Sequence, residues 1–507
     1  MRFHIKHVIV VFILISFILW ASHVYIDNLQ RNRQLERSQS IENKVNEWLD
    51  HREHKDHHFR FDKLGPDLKY KTDINDADNT DKLLSVPRLW QYCNPPVKAV
   101  TGDEGEVSPE YRLEMVHVLI RHGDRTPMHT MKGLPTVKIN CNLDKLSLTN
   151  SKLQNFASKI KDSLQRHKES DFKNWDLYPD EEYCTGSQLT GTGIHQHILN
   201  GEHLGFKFFR KWELLSSNFS SDDILVKSTE YSRTFQSAIA FMYGFLPQFS
   251  LNKLIIKKSS NLYFCSKSSG FVCFCPQANL AKQMADNFNS KLSHNSSKHQ
   301  NLIKQLADIY NTKPSHIPWL SAVADIIMAN VCHEFKLPCN DAGQCADQNL
   351  LINIWKVIDN ESLISKTKNH VFIKFSHLIM HPFLVQIAHQ MKSVVLANKS
   401  VPKFVLYSGH DVTMTPLLVA LGISDGLWPS YASRLVIEFY SRVVTQKKIH
   451  YFIRILYNGL DMTRQLPFCR TVINGLCKFI HFIHFIDTHL KPYNVTSYNR
   501  YCYSETN

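Results

Sequence analysis

Two arginines flank a histidine in the tract Arg121-His122-Gly123-Asp124-Arg125-Thr126-Pro127, directly after the apolar run Val116-His117-Val118-Leu119-Ile120. The guanidinium is a rigid fork of donors matched to phosphoryl oxygens. An imidazole set among such forks can attack phosphorus once the dianion is neutralised. His122 is therefore a candidate nucleophile at a strand end; the plain alternative is a basic loop with a chance histidine. In an open α/β sheet the reactive groups collect where several strands end, so a second set is expected far downstream. Phe404 to Ser408 reads as a short buried strand, followed at once by Gly409-His410-Asp411 and a helix from Val412 to Leu421. By itself such a His-Asp pair could simply cap the helix. Between the two tracts, Ser228 to Ser237 follows the strand-like Ile224-Leu225-Val226 and leads into the apolar helix-like stretch Ala238 to Phe245, bringing Arg233 with it. Alone, Arg233 could be a helix-start arginine pairing with Glu230. Leu189 to Gln196 reads as a helix start, with Thr190 as cap and Gly191 and Gly193 permitting close packing.

The tract R-H-G-D-R-T-P resembles the signature of the histidine acid phosphatases. The segment with Arg233 resembles that family's S-x-R-T-x-x-S, and Leu189 to Gln196 its L-T-x-x-G-x-x-Q. The resemblance implies an α/β fold with a mostly parallel sheet flanked by helices and an inserted, mainly helical cap. It implies a phosphohistidine on His122, Asp411 as proton donor, and Arg121, Arg125, Arg233 and His410 around the phosphoryl oxygens. Catalysis would then be mainly positioning and electrostatic stabilisation. No cofactor and no metal are expected, because cationic side chains do what a divalent ion does elsewhere. The neighbouring arginines disfavour imidazolium, keeping His122 neutral, and an incoming dianion favours a protonated Asp411, so an acidic to neutral optimum is expected.

Within that family, Val116 to Pro127, Leu189 to His197, Ser232 to Pro247, Ser408 to Thr413 and Ile455 to Asp461 are most similar to the Golgi branch that removes the 2-phosphate of xylose. The implied partner is the phosphorylated glycan linkage on proteoglycan core proteins, with xylose-processing glycosyltransferases or a kinase as further candidates. A general secretory or lysosomal acid phosphatase would share the catalytic residues. So would an inositol-polyphosphate phosphatase, whose substrate should favour a more densely basic pocket. The non-enzyme alternative is a phosphoglycan-binding pseudoenzyme, which would usually have lost His122 or Asp411.

The rest of the chain must position and deliver this site. Its 507 residues, 43% hydrophobic, suffice for one large catalytic unit with flanking segments. The net charge of +13 favours acidic substrates or anionic surfaces, but without a Lys/Arg stripe interleaved with aromatics it gives no nucleic-acid signature. Residues 1–7 read as a cytosolic tail, 8–25 as a type II signal anchor, 26–90 as a luminal stem and 91–507 as the catalytic domain. A cleaved signal peptide is the competing reading, though Trp20 and His23 make a poor cleavage site. His51, His54, His57 and His58 read as a charged stem face, with metal binding the alternative. All twelve cysteines follow the anchor and should be largely disulfides in an oxidising lumen; Cys273, Cys275, Cys332, Cys339 and Cys345 lack the paired spacing of zinc ligands. Asn218, Asn295, Asn360, Asn398 and Asn494 are glycosylation acceptors by sequence. Leu146, Leu153, Phe156, Ile160 and Leu164 recur at helical spacing. Further helical runs cover 279–310, 346–358 and about 373–397, a hairpin joins 433–440 to 451–457, and 479–485 suits a packed C-terminal helix.

Overall fold

The computed structural model describes residues 86–96, 100–147, 150–161, 171–251, 254–266, 270–396, 401–445, 448–469 and 471–503. The tail, the anchor and the stem up to residue 85, the stem histidines, Leu164 and Asn398 lie outside them.

Among the described residues the centre is a nine-stranded sheet of β1 (Arg112–Arg121), β2 (Ile224–Thr229), β3 (Ile256–Ser259), β4 (Phe404–Gly409), β5 (Arg434–Thr445), β6 (Lys448–Tyr457), β7 (Leu460–Asp461), β8 (Val472–Ile473) and β9 (Leu476–Lys478). The order is β3-β2-β4-β1-β5-β6-β9-β8, with β7 paired to β6. The expected α/β class holds, and one detail differs. Strands β3, β2, β4 and β1 are mutually parallel, whereas β5 joins β1 antiparallel and the hairpin with β6 continues that way, so the sheet is mixed rather than mostly parallel. The physical reason is local: a hairpin needs only a tight turn, whereas each parallel step needs a crossover.

The parallel part is covered on both faces, which is why β1 and β4 read as nearly unbroken apolar runs. Successive strand residues point to opposite faces. Val116, Val118 and Ile120 thus enter one core, with α2 (Ser151–Lys161), α3 (Gly191–Leu204) and α4 (Ser232–Phe245). Met115 and Leu119 enter the other, with α5 (Pro276–Asn295). A third apolar cluster belongs to the cap: residues of α1 (Pro87–Cys93), α6 (Ser297–Ile309), α7 (Leu320–Cys332) and α8 (Gln348–Leu363) pack there on one another. The chain then returns through α9 (His370–Val395), β4 and α10 (Asp411–Ala420), and α11 (Phe479–Thr488) packs near the C-terminal end. Helix α9 is the one described helix long and apolar enough to cross a membrane, but 67% of its apolar window is buried in the protein, so it is a core helix. The period that ran from Leu146 breaks there: Leu153, Phe156 and Ile160 share α2, and Leu146 sits on a separate short helix, Leu143–Ser147.

All twelve cysteines form disulfides: Cys93–Cys332, Cys141–Cys184, Cys265–Cys273, Cys275–Cys502, Cys339–Cys345 and Cys469–Cys477. This is the pairing expected of an oxidising lumen, and it leaves no thiolate at 273, 275, 332, 339 or 345 for zinc. Cys93–Cys332 ties α1 to the end of α7 across 239 residues, the kind of long closure that restricts the unfolded chain most.

Candidate active site

The C-terminal ends of three parallel strands converge, since Arg121 is in register with Gly409 and Ser228 with Ser408. His122, Thr229 with the α4 start, and His410-Asp411 therefore leave the sheet side by side. They open into a cavity of about 380 Å³ lined by His122, Arg125, Arg233, His410 and Asp411 among others. Five of the six residues singled out in the sequence thus line one cavity. The sixth, Arg121, is fully buried: its guanidinium lies 4.5 Å from the Tyr431 ring centre, 5.5 Å from Tyr92 and 5.8 Å from Trp428, and it donates to the Pro429 carbonyl.

The backbone of the tract is built for close approach. A Cβ on Gly123 would fall 2.4 Å from the Gly193 carbonyl oxygen, and one on Gly193 would fall 2.4 Å from that of Asp124. The two glycines let the loop 121–127 lie directly on the start of α3. There Thr190 caps the helix by accepting from Gly193 N, and Gln196 accepts from Asp124 N at 2.8 Å.

His122 Nδ1 lies 2.8 Å from the Gly123 carbonyl oxygen. A carbonyl only accepts, so Nδ1 carries the proton and Nε2 keeps a free lone pair. Burial first, then Arg121, Arg233, Arg125 and His410, hold its pKa well below the ordinary histidine value, which keeps the ring neutral. His410 Nδ1 is 3.5 Å from Arg233 Nη2 and its Nε2 is 2.8 Å from Thr229 Oγ1. Because arginine only donates, Nδ1 is the acceptor and Nε2–H donates to Thr229. Burial, then Arg233, bring His410 down to about 3. Burial pushes Asp411 upward, but Arg121, the Trp428 indole N–H donated at 2.5 Å, and Arg125 outweigh it and leave the carboxyl at about 2. The His-Asp pair also begins α10, His410 N donating to Thr413 Oγ1, so capping and a place in the cavity coexist.

Several partners escaped the sequence reading. Arg125 forms a buried pair with Asp325 of α7, Nη2 to Oδ1 at 3.0 Å and Nη1 to Oδ2 at 3.1 Å. Asp325 also accepts from Met128 N. One signal was available: Asp325 is the one charged residue in the apolar stretch 320–332, and a buried carboxylate needs a cation. The rings of Tyr92, Trp428 and Tyr431 gave no comparable sign. The arginines keep donors in reserve: Arg121 Nε and Nη2, Arg125 Nε and Arg233 Nε are buried without a protein acceptor. Such donors beside a neutral imidazole suit an anion with several oxygens. Asp325→Asn should lower stability by about 3 kcal/mol or more, since it leaves the Arg125 charge buried and unpaired. Urea unfolding checks this, and an unchanged midpoint at unchanged slope would count against the pairing.

The family model for the histidine phosphatase superfamily (branch 2) matches residues 112–321 and 373–458, which include Arg121, His122, Arg125, Arg233, His410 and Asp411 but not Tyr92 or Asp325. The chain belongs to that superfamily. Two similar relatives are both named 2-phosphoxylose phosphatase 1. The Mus musculus protein is 33% identical over 75% of this chain and 77% of its own length, and the Homo sapiens protein 31% identical with the same coverage. Among solved structures, the multiple inositol polyphosphate phosphatase of Bifidobacterium longum in complex with inositol hexasulfate aligns over 78% of this chain and 98% of its own, with a TM-score of 0.51 at 14% identity. This likeness shows that the histidine phosphatase fold is shared. The unmatched residues 322–372 hold most of α7 and all of α8, so this histidine phosphatase departs from the family model in its cap.

Proposed function

We propose that this phosphatase removes the 2-phosphate of xylose in the glycosaminoglycan-protein linkage region, through a phosphohistidine on His122. In the first step His122 Nε2 attacks phosphorus in line, the P–O bond to the sugar breaks, and Asp411 gives its proton to the departing oxygen. In the second step the Asp411 carboxylate takes a proton from water, that water attacks phosphorus, and the P–N bond breaks to release phosphate and neutral His122. Arg125 and Arg233 in the cavity, with Arg121 buried behind it, neutralise the equatorial oxygens throughout, and His410, neutral in the free site, reaches the phosphate by turning its Nε2–H from Thr229 to a phosphoryl oxygen. The free site holds Asp411 ionised, so the proton either enters with a monoanionic ester or is taken up from solution when a bound dianion raises the Asp411 pKa. No step calls for a metal or a cofactor.

The observation that carries the substrate reading is the composition of the cavity wall. Apart from His122, Asp411, His410 and the two arginines that would face one phosphate, Arg125 and Arg233, and His129, it is formed by Met128, Tyr231, Leu262, Trp319, Ser321, Ala322, Asp325, Val412 and Trp428, with no lysine. That suits one phosphate on a neutral, partly apolar group better than an inositol polyphosphate, whose further phosphates would need further cations. The name borne by the similar vertebrate relatives supports the same choice. Binding energy from neighbouring sugars, used in the transition state, should raise kcat/KM on the phosphoxylosyl linkage oligosaccharide about tenfold or more above glycerol phosphate. Equal efficiency on both would mark a general acid phosphatase, and preference for inositol polyphosphates would reverse the reading.

We also propose that the enzyme is a type II protein of the Golgi membrane with the catalytic domain in the lumen. Six disulfides suit an oxidising compartment. Asn218, Asn295, Asn360 and Asn494 are all exposed, as glycan attachment requires. In sealed microsomes the catalytic domain should resist protease and an N-terminal tag should be digested; a tag that is protected, or lost on maturation, would favour a cleaved signal peptide.

A further inference from the structure

The catalytic loop is held from the cap by a residue outside the cavity. His333 ends α7, next to Cys332, whose disulfide to Cys93 fixes that end of the helix. Its Nε2 lies 2.7 Å from Asp124 Oδ2, an oxygen that also accepts from Thr190 Oγ1 at 2.5 Å. Asp124 N is held in turn by Gln196, which donates its own amide to the Cys93 and Asn94 carbonyls. Gly123 stands between Asp124 and His122, and its carbonyl accepts the hydrogen bond from His122 Nδ1–H. Any shift of Asp124 therefore moves the group that sets the orientation and tautomer of the nucleophile. Asp325, about two turns earlier on the same helix, holds Arg125, so α7 grips two successive residues of the tract.

We propose that His333 is a positioning residue whose charge state sets how firmly the catalytic loop is held, so that turnover follows the protonation of an imidazole outside the cavity. Charge-assisted hydrogen bonds are roughly twice as strong as neutral ones, so a protonated His333 grips Asp124 harder than a neutral one. Burial opposes protonation, but Asp124 across the contact and Glu334 beside it raise the pKa of His333 above its ordinary value. The other groups at this contact, Thr190 and the Phe335 ring, are uncharged. A raised pKa gives the sign: the contribution is complete below the unfolded value of about 6.5 and is lost as pH rises through the higher folded value.

The test compares wild type, His333→Gln and His333→Ala on para-nitrophenyl phosphate between about pH 5 and about pH 8, spanning the ordinary histidine range. Glutamine keeps a donor without the charge. The wild-type to His333→Gln ratio of kcat should be about five- to tenfold at the acid end and fall toward one at the alkaline end, as a charge-assisted bond gives way to a neutral one. His333→Ala should lose turnover throughout and be partly rescued by glutamine. Asp124→Asn, which keeps an acceptor for Thr190, should erase the pH dependence of the same ratio. A ratio flat across the range, or His333→Ala altering thermal stability alone, overturns the proposal. It rests on the phosphohistidine reading, but the two fail differently: a wild type that turns over without a phosphoenzyme removes the reading, whereas a phosphoenzyme-forming wild type with a flat ratio removes only the role of His333.

Discussion

His122→Ala is expected to lower kcat by about ten thousandfold or more while leaving the fold intact, because no other group can take the place of the attacking nitrogen. The side chain is buried, neutral and held by one hydrogen bond to the next residue's carbonyl. Its removal should therefore cost stability only on the scale of one hydrogen bond and a modest cavity, about 1–3 kcal/mol. The proposed phosphate-binding arginines Arg121, Arg125 and Arg233, with His410, stay in place, so inorganic phosphate should still bind the variant. Stopped activity with retained phosphate binding and a cooperative melt is the expected combination. Turnover within tenfold of wild type would show that water can attack the bound ester directly.

The second large effect should separate substrates rather than abolish activity. With Asp411→Asn, sugar esters should slow by about a hundred- to ten-thousandfold in kcat, since an alkoxide cannot leave without its proton. A para-nitrophenyl ester, whose leaving group departs as a stable anion, should slow far less. The pH dependence follows from the same group. His122 titrates well below the ordinary histidine value and Asp411 at about 2, so neither loses its free-enzyme form between mildly acidic and neutral pH. The productive complex contains one proton shared between ester and Asp411. Above the second pKa of the ester, about 6, that proton must come from solution, and kcat/KM should fall about tenfold per unit. In Asp411→Asn the alkaline limb for the aryl ester should flatten. Equal slowing of both esters, or an unchanged limb, would move the proton donor elsewhere.

How far the sequence discloses this site depends on how locally each part is encoded. Arg121 to Pro127 and Gly409 to Asp411 were legible because strand, turn and functional side chains are consecutive, and the strand end itself brings the side chains into the cavity. The paired glycines were legible as glycines, but the sequence could not say that Gly123 and Gly193 face each other, since they lie 70 positions apart and only the fold closes that distance. Helix α7 left no helical period because nearly every residue of it is buried, so the polar face that marks an amphipathic helix is missing. With that helix went Asp325 and His333, whose partners lie 200 and 209 positions away. Strand β3 was hidden for the opposite reason: it is four residues long, on the edge, with Lys257 and Lys258 exposed. The antiparallel half of the sheet was foreshadowed by the hairpin at 433–457, and what the sequence could not give was which neighbour β5 would choose.

The most direct test is rapid quenching of the enzyme with a radiolabelled phosphate ester, followed by peptide mapping of the trapped phosphoenzyme. One label per chain is expected on His122, lost in acid and stable in alkali as a phosphoramidate is, absent from His122→Ala and accumulating when the second step is slowed in Asp411→Asn. Label on any other residue, or full turnover with no trapped phosphoenzyme, would contradict the phosphohistidine on His122.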